Sequence, residues 1–265
     1  MRIRNKNQRI SLKLAHIINP VKVDSNNSSY LHSAQPITFQ SMLNAQYEAH
    51  RFKDMDVHVD LYTTQYHEDR ETVPTGFIIL PDLNKSILDF HTFQNGNRKL
   101  PRIRDIIDRL YENSTAEYFV YTNVDIGLQK NFYIYVAVLI NKGFDAICIN
   151  RRNNIPKYLN RFGILDVSQL DIIYKQKGEK HRGTDCFIFR REVVPSLNLG
   201  NVFIGYPPVG KTLREQIQKN SERFIWVKNK RLTFHIGKDN PRNMKMPIHS
   251  EYIKYNKSEY EKCSQ

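Results

Sequence analysis

Residues 12–18 carry apolar side chains at every position except Lys13 and His16 and run into Asn19-Pro20, which predicts a buried strand stopped by a turn. A polar segment of Asp, Ser and Asn follows through residue 29. Residues 37–50 place Phe39, Met42, Leu43, Gln46 and Tyr47 at spacings of three and four behind a Thr38 cap, the periodicity of a helix. Val57, Val59, Leu61 and Tyr62 form a second strand that ends at a charged loop, residues 66–72. The chain therefore opens as strand, helix, strand.

The alternation continues. Residues 77–80 are a short apolar run. Residues 100–111 are amphipathic, with Ile103, Ile106, Ile107 and Leu110 on one face and Pro101 at the start. A strand at 117–121 leads into Thr122-Asn123-Val124-Asp125, a helix is expected over 132–140, and a strand closes at 146–150. Continuous apolar strands alternating with helices predict an α/β protein, a Rossmann-like domain whose mostly parallel central sheet has helices on both faces. Beyond residue 151 the pattern loosens. It gives a basic loop (Arg151, Arg152, Lys157, Arg161), a helix-like 167–173, a charged loop 175–184 and strands at 186–190, 201–205 and 232–236, with a helix at 212–218. One domain is expected over residues 1–240, with a first half to 150 and a second from 151, followed by a polar tail over 241–265.

Composition narrows the class. The 265 residues are 40% hydrophobic and 11% aromatic, enough burial to offset chain entropy. The longest apolar run, 132–140, falls short of the ~20 residues of a membrane-spanning helix. The basic N-terminus lacks the apolar core and cleavage site of a signal peptide. Cys148, Cys186 and Cys263 are too far apart for a disulfide framework or zinc cluster, so a reducing, cytoplasmic setting is expected. Lys and Arg number 40 against 27 Asp and Glu, a net charge of +13. That charge fits nucleic acid, an anionic membrane surface or a phosphorylated substrate.

Four segments carry candidate chemistry. Residues 205–212, Gly205 to Thr212, satisfy the literal pattern of a phosphate-binding P-loop between a strand and a helix. Pro207 and Pro208, however, each remove a backbone N–H that such a loop needs, so a turn capped by a helix is the stronger reading. Asn123 and Asp125 stand at a strand's carboxyl end, where open α/β sheets bind ligands, and a carboxylate there would hold a divalent cation against a diphosphate. The plainer alternative is an Asn/Asp turn that stops the strand. His181 and Asp185, in the loop Lys180-His181-Arg182-Gly183-Thr184-Asp185, are candidate general bases, or else part of a solvated basic loop. His235 closes an apolar strand and reads alone as a core histidine before a metal ligand.

The order of the last three segments resembles the GT-A glycosyltransferases that use nucleotide-diphosphate sugars. In that family an Asp-x-Asp at the corresponding strand end binds manganese or magnesium and the donor diphosphate. The resemblance implies a metal role for Asp125, with Asn123 in place of the family's first acid, and for His235 as a further ligand of Mn2+ or Mg2+. It implies that Asp185, with His181 beside it, is the base or sugar contact on the acceptor side. Asn19 would open the loop that receives the nucleotide base, and Lys99, beside Arg98, would reach its phosphates. The partners it implies are a nucleotide-diphosphate sugar and a hydroxyl acceptor, a glycan or a lipid-linked molecule at the inner face of a membrane, with no nucleic acid. The rival readings are a P-loop phosphotransferase built on Lys211 and Thr212, and a basic nucleic-acid-binding protein.

Overall fold

The computed structural model describes residues 11–23, 30–90, 93, 98–153, 166–236 and 247–264. Most of the polar segment after Asn19, and Lys157 and Arg161 of the basic loop, lie outside these residues.

Strands β1 (Ser11–Ile18), β2 (Asp56–Thr63) and β3 (Ile78–Ile79) are joined through helix α1 (Leu31–Arg51). Helix α2 (Ile103–Asn113) leads into β4 (Tyr118–Thr122) and the short β5 (Ile126–Leu128), and α3 (Phe132–Asn141) into β6 (Ala146–Asn153). A short α4 (Leu170–Lys175) precedes β7 (Glu179–Arg190), which is followed by α5 (Val209–Lys219), β8 (Phe224–Val227), β9 (Thr233–His235) and α6 (Pro247–Cys263). The nine strands form one sheet in the order β3-β2-β1-β4-β7-β6-β9-β5, with β8 beside the first half of β6. Pairing is parallel except where β7 runs against β4 and β6, and β5 against β9.

Both faces of the sheet are covered, as continuous apolar strands require. On one face Leu14, Val59 and Val120 pack against Phe39 and Met42 of α1 and Phe132 and Val136 of α3. On the other, Ala15, Ile17, Phe119 and Tyr121 meet Ile103, Ile106 and Ile107 of α2 and Leu213 and Ile217 of α5. Strand residues alternate between the two clusters, the period-two signature of the pleat.

Several expectations are corrected. Helix α1 begins at Leu31, so Thr38 is a buried interior residue and no cap; Gln35 in its first turns bonds both the N–H and the C=O of Val21. Residues 179–184, expected as loop, are the outer half of β7 and pair with the end of β6. Residues 201–205 are a turn with one isolated bridge, Arg102 to Phe203. Their backbone is taken by a side chain instead: Asn256 accepts from Phe203 N–H and donates to the carbonyls of Phe203 and Tyr206. Asn256 belongs to α6, a 17-residue helix in the segment expected as a polar tail. Tyr252 stacks on Phe93 and Tyr206, and Glu259 accepts the N–H of Asn201. Among the described residues no helix is long and apolar enough to cross a membrane.

Candidate active site

Strand β4 ends at Thr122, and a turn closed by Ile126 N–H on the carbonyl of Asn123 sends the chain into β5. Asp125 thus stands at the carboxyl end of a central strand, next to β1, where an α/β sheet offers its crevice. Strand β5 pairs with β9 so that Ile126 faces His235. Gly127 permits the close approach, since a Cβ there would fall 2.2 Å from the Phe234 ring. The ladder brings His235 Nε2 to 3.1 Å from Asp125 Oδ2.

Tyr30, at the start of α1, donates its hydroxyl to the same oxygen at 2.8 Å and lies edge-on to the His235 ring. The other carboxylate oxygen, Oδ1, is buried and makes no hydrogen bond, as does His235 Nδ1. Burial presses the Asp125 carboxyl toward neutrality, but His235, Tyr30 and the Arg151 guanidinium outweigh it and hold the group below the usual carboxylate range.

Asp185 reaches the same place from β7. The β6–β7 ladder shifts register between Ile149 and Asn150, whose partners are Cys186 and Thr184, so Asp185 is the extra residue of a bulge. Bulges re-aim side chains, and here the carboxylate turns to Asn123 Nδ2 at 3.2 Å and Arg151 Nη1 at 2.9 Å. Asn123 is fully engaged in this link, because its carbonyl oxygen accepts the Tyr121 hydroxyl at 3.1 Å. Burial, opposed by Arg151 and reinforced by Asp125, raises the Asp185 carboxyl above its ordinary value. Two neighbouring carboxyls are therefore pushed in opposite directions, one held as an anion and one made more basic, a pattern that separates acid–base roles.

His181 sits two residues before Gly183, whose N–H donates to His181 Nδ1 at 2.8 Å. In the neutral ring that bond leaves the proton on Nε2, so the imidazole presents a donor. A Cβ on Gly183 would lie 2.7 Å from His181 Nδ1, which explains the glycine. Asn150 of β6 holds this stretch of β7 by donating its side-chain amide to the His181 carbonyl.

The remaining predicted residues serve other contacts. Asn19 donates to the Thr64 carbonyl at 2.7 Å and fastens the end of β1 to the end of β2. Lys99 pairs with Glu68 at 2.5 Å over the Tyr66 ring, and none of its contacts reaches the Asp125–Asp185 group. The P-loop pattern is a packing device: Lys211 lies over Tyr260, Thr212 bonds back to the Pro208 carbonyl, and Gly210 abuts the Thr184 carbonyl. Arg151 and Tyr30 were missed as site residues. Arg151 directly follows an apolar strand, which is a readable signal; Tyr30, in a polar segment, carries none.

Among the described residues no three His, Cys, Asp or Glu side chains gather as a metal centre. Asp125 and His235 nevertheless supply a carboxylate and an imidazole at one point, with a buried carboxylate oxygen lacking a partner. That set suits a hard cation completed by substrate phosphates and water, which needs only one or two protein ligands.

Neither a protein-family model nor a curated protein matches the sequence. Solved structures do match in fold. Glucosyl-3-phosphoglycerate synthase from Mycobacterium tuberculosis, in complex with Mg2+ and UDP, aligns over 96% of this chain and 80% of its own at TM-score 0.51 and 10% identity. Residues 1–349 of TarS from S. aureus, in complex with UDP-GlcNAc, align over 94% of this chain at TM-score 0.50 and 9% identity, and the chain spans 66% of that structure. The architecture is the GT-A fold, which this chain shares with these structures.

Proposed function

We propose that the protein transfers a sugar from a nucleotide-diphosphate donor to an acceptor hydroxyl at the Asp125–Asp185 crevice. The observation that carries this reading is the pair of neighbouring carboxyls, Asp125 beyond the end of β4 and Asp185 at the β7 bulge, one held ionised and one made basic, with Arg151 and Asn123 bonded to Asp185 and the Arg151 charge felt at Asp125. The neighbours' bound UDP and UDP-GlcNAc agree with it.

Asp125 and His235 would hold Mn2+ or Mg2+ against the donor diphosphate. When bound, the cation supplies positive charge to the departing nucleoside diphosphate. Arg151, paired with Asp185 and close enough to lower the Asp125 carboxyl, adds fixed positive charge at the same place. Asp185 takes the acceptor proton, for which its raised pKa suits it. His181 donates Nε2–H to a sugar or acceptor oxygen. Asn123 holds Asp185 in place and does not replace the missing acid at the cation. The loop fastened by Asn19, Gln35 and Asp69 receives the nucleotide base; Asp69 does so by accepting Lys22 N–H at 2.7 Å. The acceptor is a glycan or a lipid-linked hydroxyl at the inner face of a membrane.

The test is a thermal-shift screen of nucleoside diphosphates, with and without Mn2+, on the wild type and Asp125→Asn. A ligand that binds only the folded state raises the melting temperature by mass action. A shift that disappears in Asp125→Asn supports the site. A shift of equal size in both proteins, or none with any diphosphate, removes it.

A further inference from the structure

Five basic side chains lie where the ends of β6, β7 and β8 meet. Arg151, Arg152, Lys180, Arg182 and Lys228 stand on or just beyond these ends, and the acids within the three strands are Glu179 and Asp185 alone. Within this region lies Trp226, the single tryptophan of the chain. It is half-buried, and its indole N–H donates to Asn150 Oδ1 at 2.5 Å. Asn150 pairs across the ladder with Thr184, the neighbour of Asp185, so the indole is joined to the site by one side chain.

Two cations converge on this indole. The Arg214 guanidinium lies 4.4 Å and the Lys228 ammonium 4.3 Å from the ring centroid. Cation–π attraction accounts for each contact singly, but like charges brought to one ring also repel. The acid near Arg214 is Glu215, at 3.3 Å, and it also accepts the Tyr260 hydroxyl and faces Lys211. Among the described residues Lys228 pairs with no acid. A planar guanidinium and a point-charge ammonium held at one indole are the donor types that suit a phosphate, which carries a charge of about −1.5 to −2 near neutral pH as a monoester.

We propose that Arg214, Lys228 and Trp226 form a phosphate-binding subsite for the acceptor, placing a phosphate of the acceptor beside the indole and its hydroxyl at Asp185. This rests on the glycosyl-transfer reading and adds a requirement to it: the acceptor carries a phosphate near its hydroxyl, whether on a soluble alcohol or on a lipid headgroup.

Trp226 is its own probe. The full chain is titrated with glycerol phosphate, with glycerol as the uncharged control, and with phosphatidylglycerol against phosphatidylcholine vesicles, each with and without saturating UDP. Indole fluorescence is read throughout. The expected result is a saturable change with glycerol phosphate or with phosphatidylglycerol, absent with the neutral partner. Its affinity falls at least tenfold in Lys228→Ala combined with Arg214→Gln and is unchanged in Lys142→Ala. A response to the vesicles alone assigns the phosphate to a lipid headgroup. No response to either source, or one that the double variant retains in full, overturns the proposal. The UDP thermal shift, read on the same proteins, stands or falls separately: it reports the donor site, and the titrations without UDP report this one.

Discussion

Asp125 Oδ2 and His235 Nε2 lie 3.1 Å apart although 110 residues separate them. The β5–β9 ladder makes this meeting, because Ile126 pairs with His235 and the residue before Ile126 is Asp125. His235→Phe leaves a buried carboxylate without its strongest partner. The account predicts a loss of about 2 kcal/mol or more in stability, the cost of leaving a buried charge short of a hydrogen bond. It predicts weaker nucleoside-diphosphate binding as well. Double substitution with Asp125→Asn should recover part of the stability and none of the binding, measured by urea unfolding and thermal shift.

Gly210 stands in the first turn of α5, where alanine would ordinarily favour the helix by about 1 kcal/mol. Its Cα faces the Thr184 carbonyl, and a Cβ would fall 2.7 Å from that backbone oxygen. Gly210→Ala should therefore destabilise, by about 1–3 kcal/mol. It should also lower turnover more than a neutral surface change, because Thr184 precedes Asp185. An unchanged or raised melting temperature would show that the helix end moves freely.

His16 is fully buried between the Tyr133 hydroxyl at 2.7 Å and the Thr122 hydroxyl at 2.9 Å, and burial lowers its pKa to about 3 from 6.5. Between those values the unfolded chain binds a proton that the folded chain does not, so stability falls as pH drops through the window. One group contributes about 1.4 kcal/mol per pH unit there. Urea midpoints at pH 7, 6 and 5 should fall less steeply in His16→Gln than in the wild type. Parallel slopes would refute the buried, neutral imidazole.

Glu259 fastens α6 by accepting the N–H of Asn201 at 3.0 Å and pairing with Lys262 at 2.5 Å. Burial opposes its charge, but Lys262 and the Asn201 N–H outweigh that and hold the carboxyl below its ordinary value. A depressed carboxyl stabilises above its unfolded pKa and loses that contribution as pH falls through the folded one. Glu259→Gln should cost about 1–2 kcal/mol at pH 7, and the gap to wild type should close on acidification. A gap constant with pH would place the effect elsewhere.

What the sequence made legible follows from where the core lies. Strand β4 and the first half of β6 are apolar on both faces, β1 and β2 place apolar residues at alternate positions before their buried ends, and all four announce themselves, as does α2 with its isoleucine stripe. Strand β5 is three residues with a central glycine, too short to carry a pattern, and its identity comes from Phe234 packing over Gly127. The outer half of β7 runs beyond the core and so carries charged residues that read as loop. Helix α6 hides because its packing uses Tyr252, Asn256 and Glu259 in place of an aliphatic stripe. Asp125, Asp185 and His235 were readable as residue types at strand ends. Their arrangement was not, because it depends on two ladders and a bulge between distant segments, and the same ladders bring Arg151 to Asp185.

The most direct test measures release of nucleoside diphosphate from a panel of nucleotide-diphosphate sugars by the wild type, Asp125→Asn and Asp185→Asn, with and without Mn2+. The account predicts turnover of at least one donor by the wild type, a loss of binding in Asp125→Asn, and in Asp185→Asn a kcat at least a hundredfold lower with donor binding retained. Donor turnover equal in all three proteins, or none by a wild type that binds the diphosphate, would contradict it.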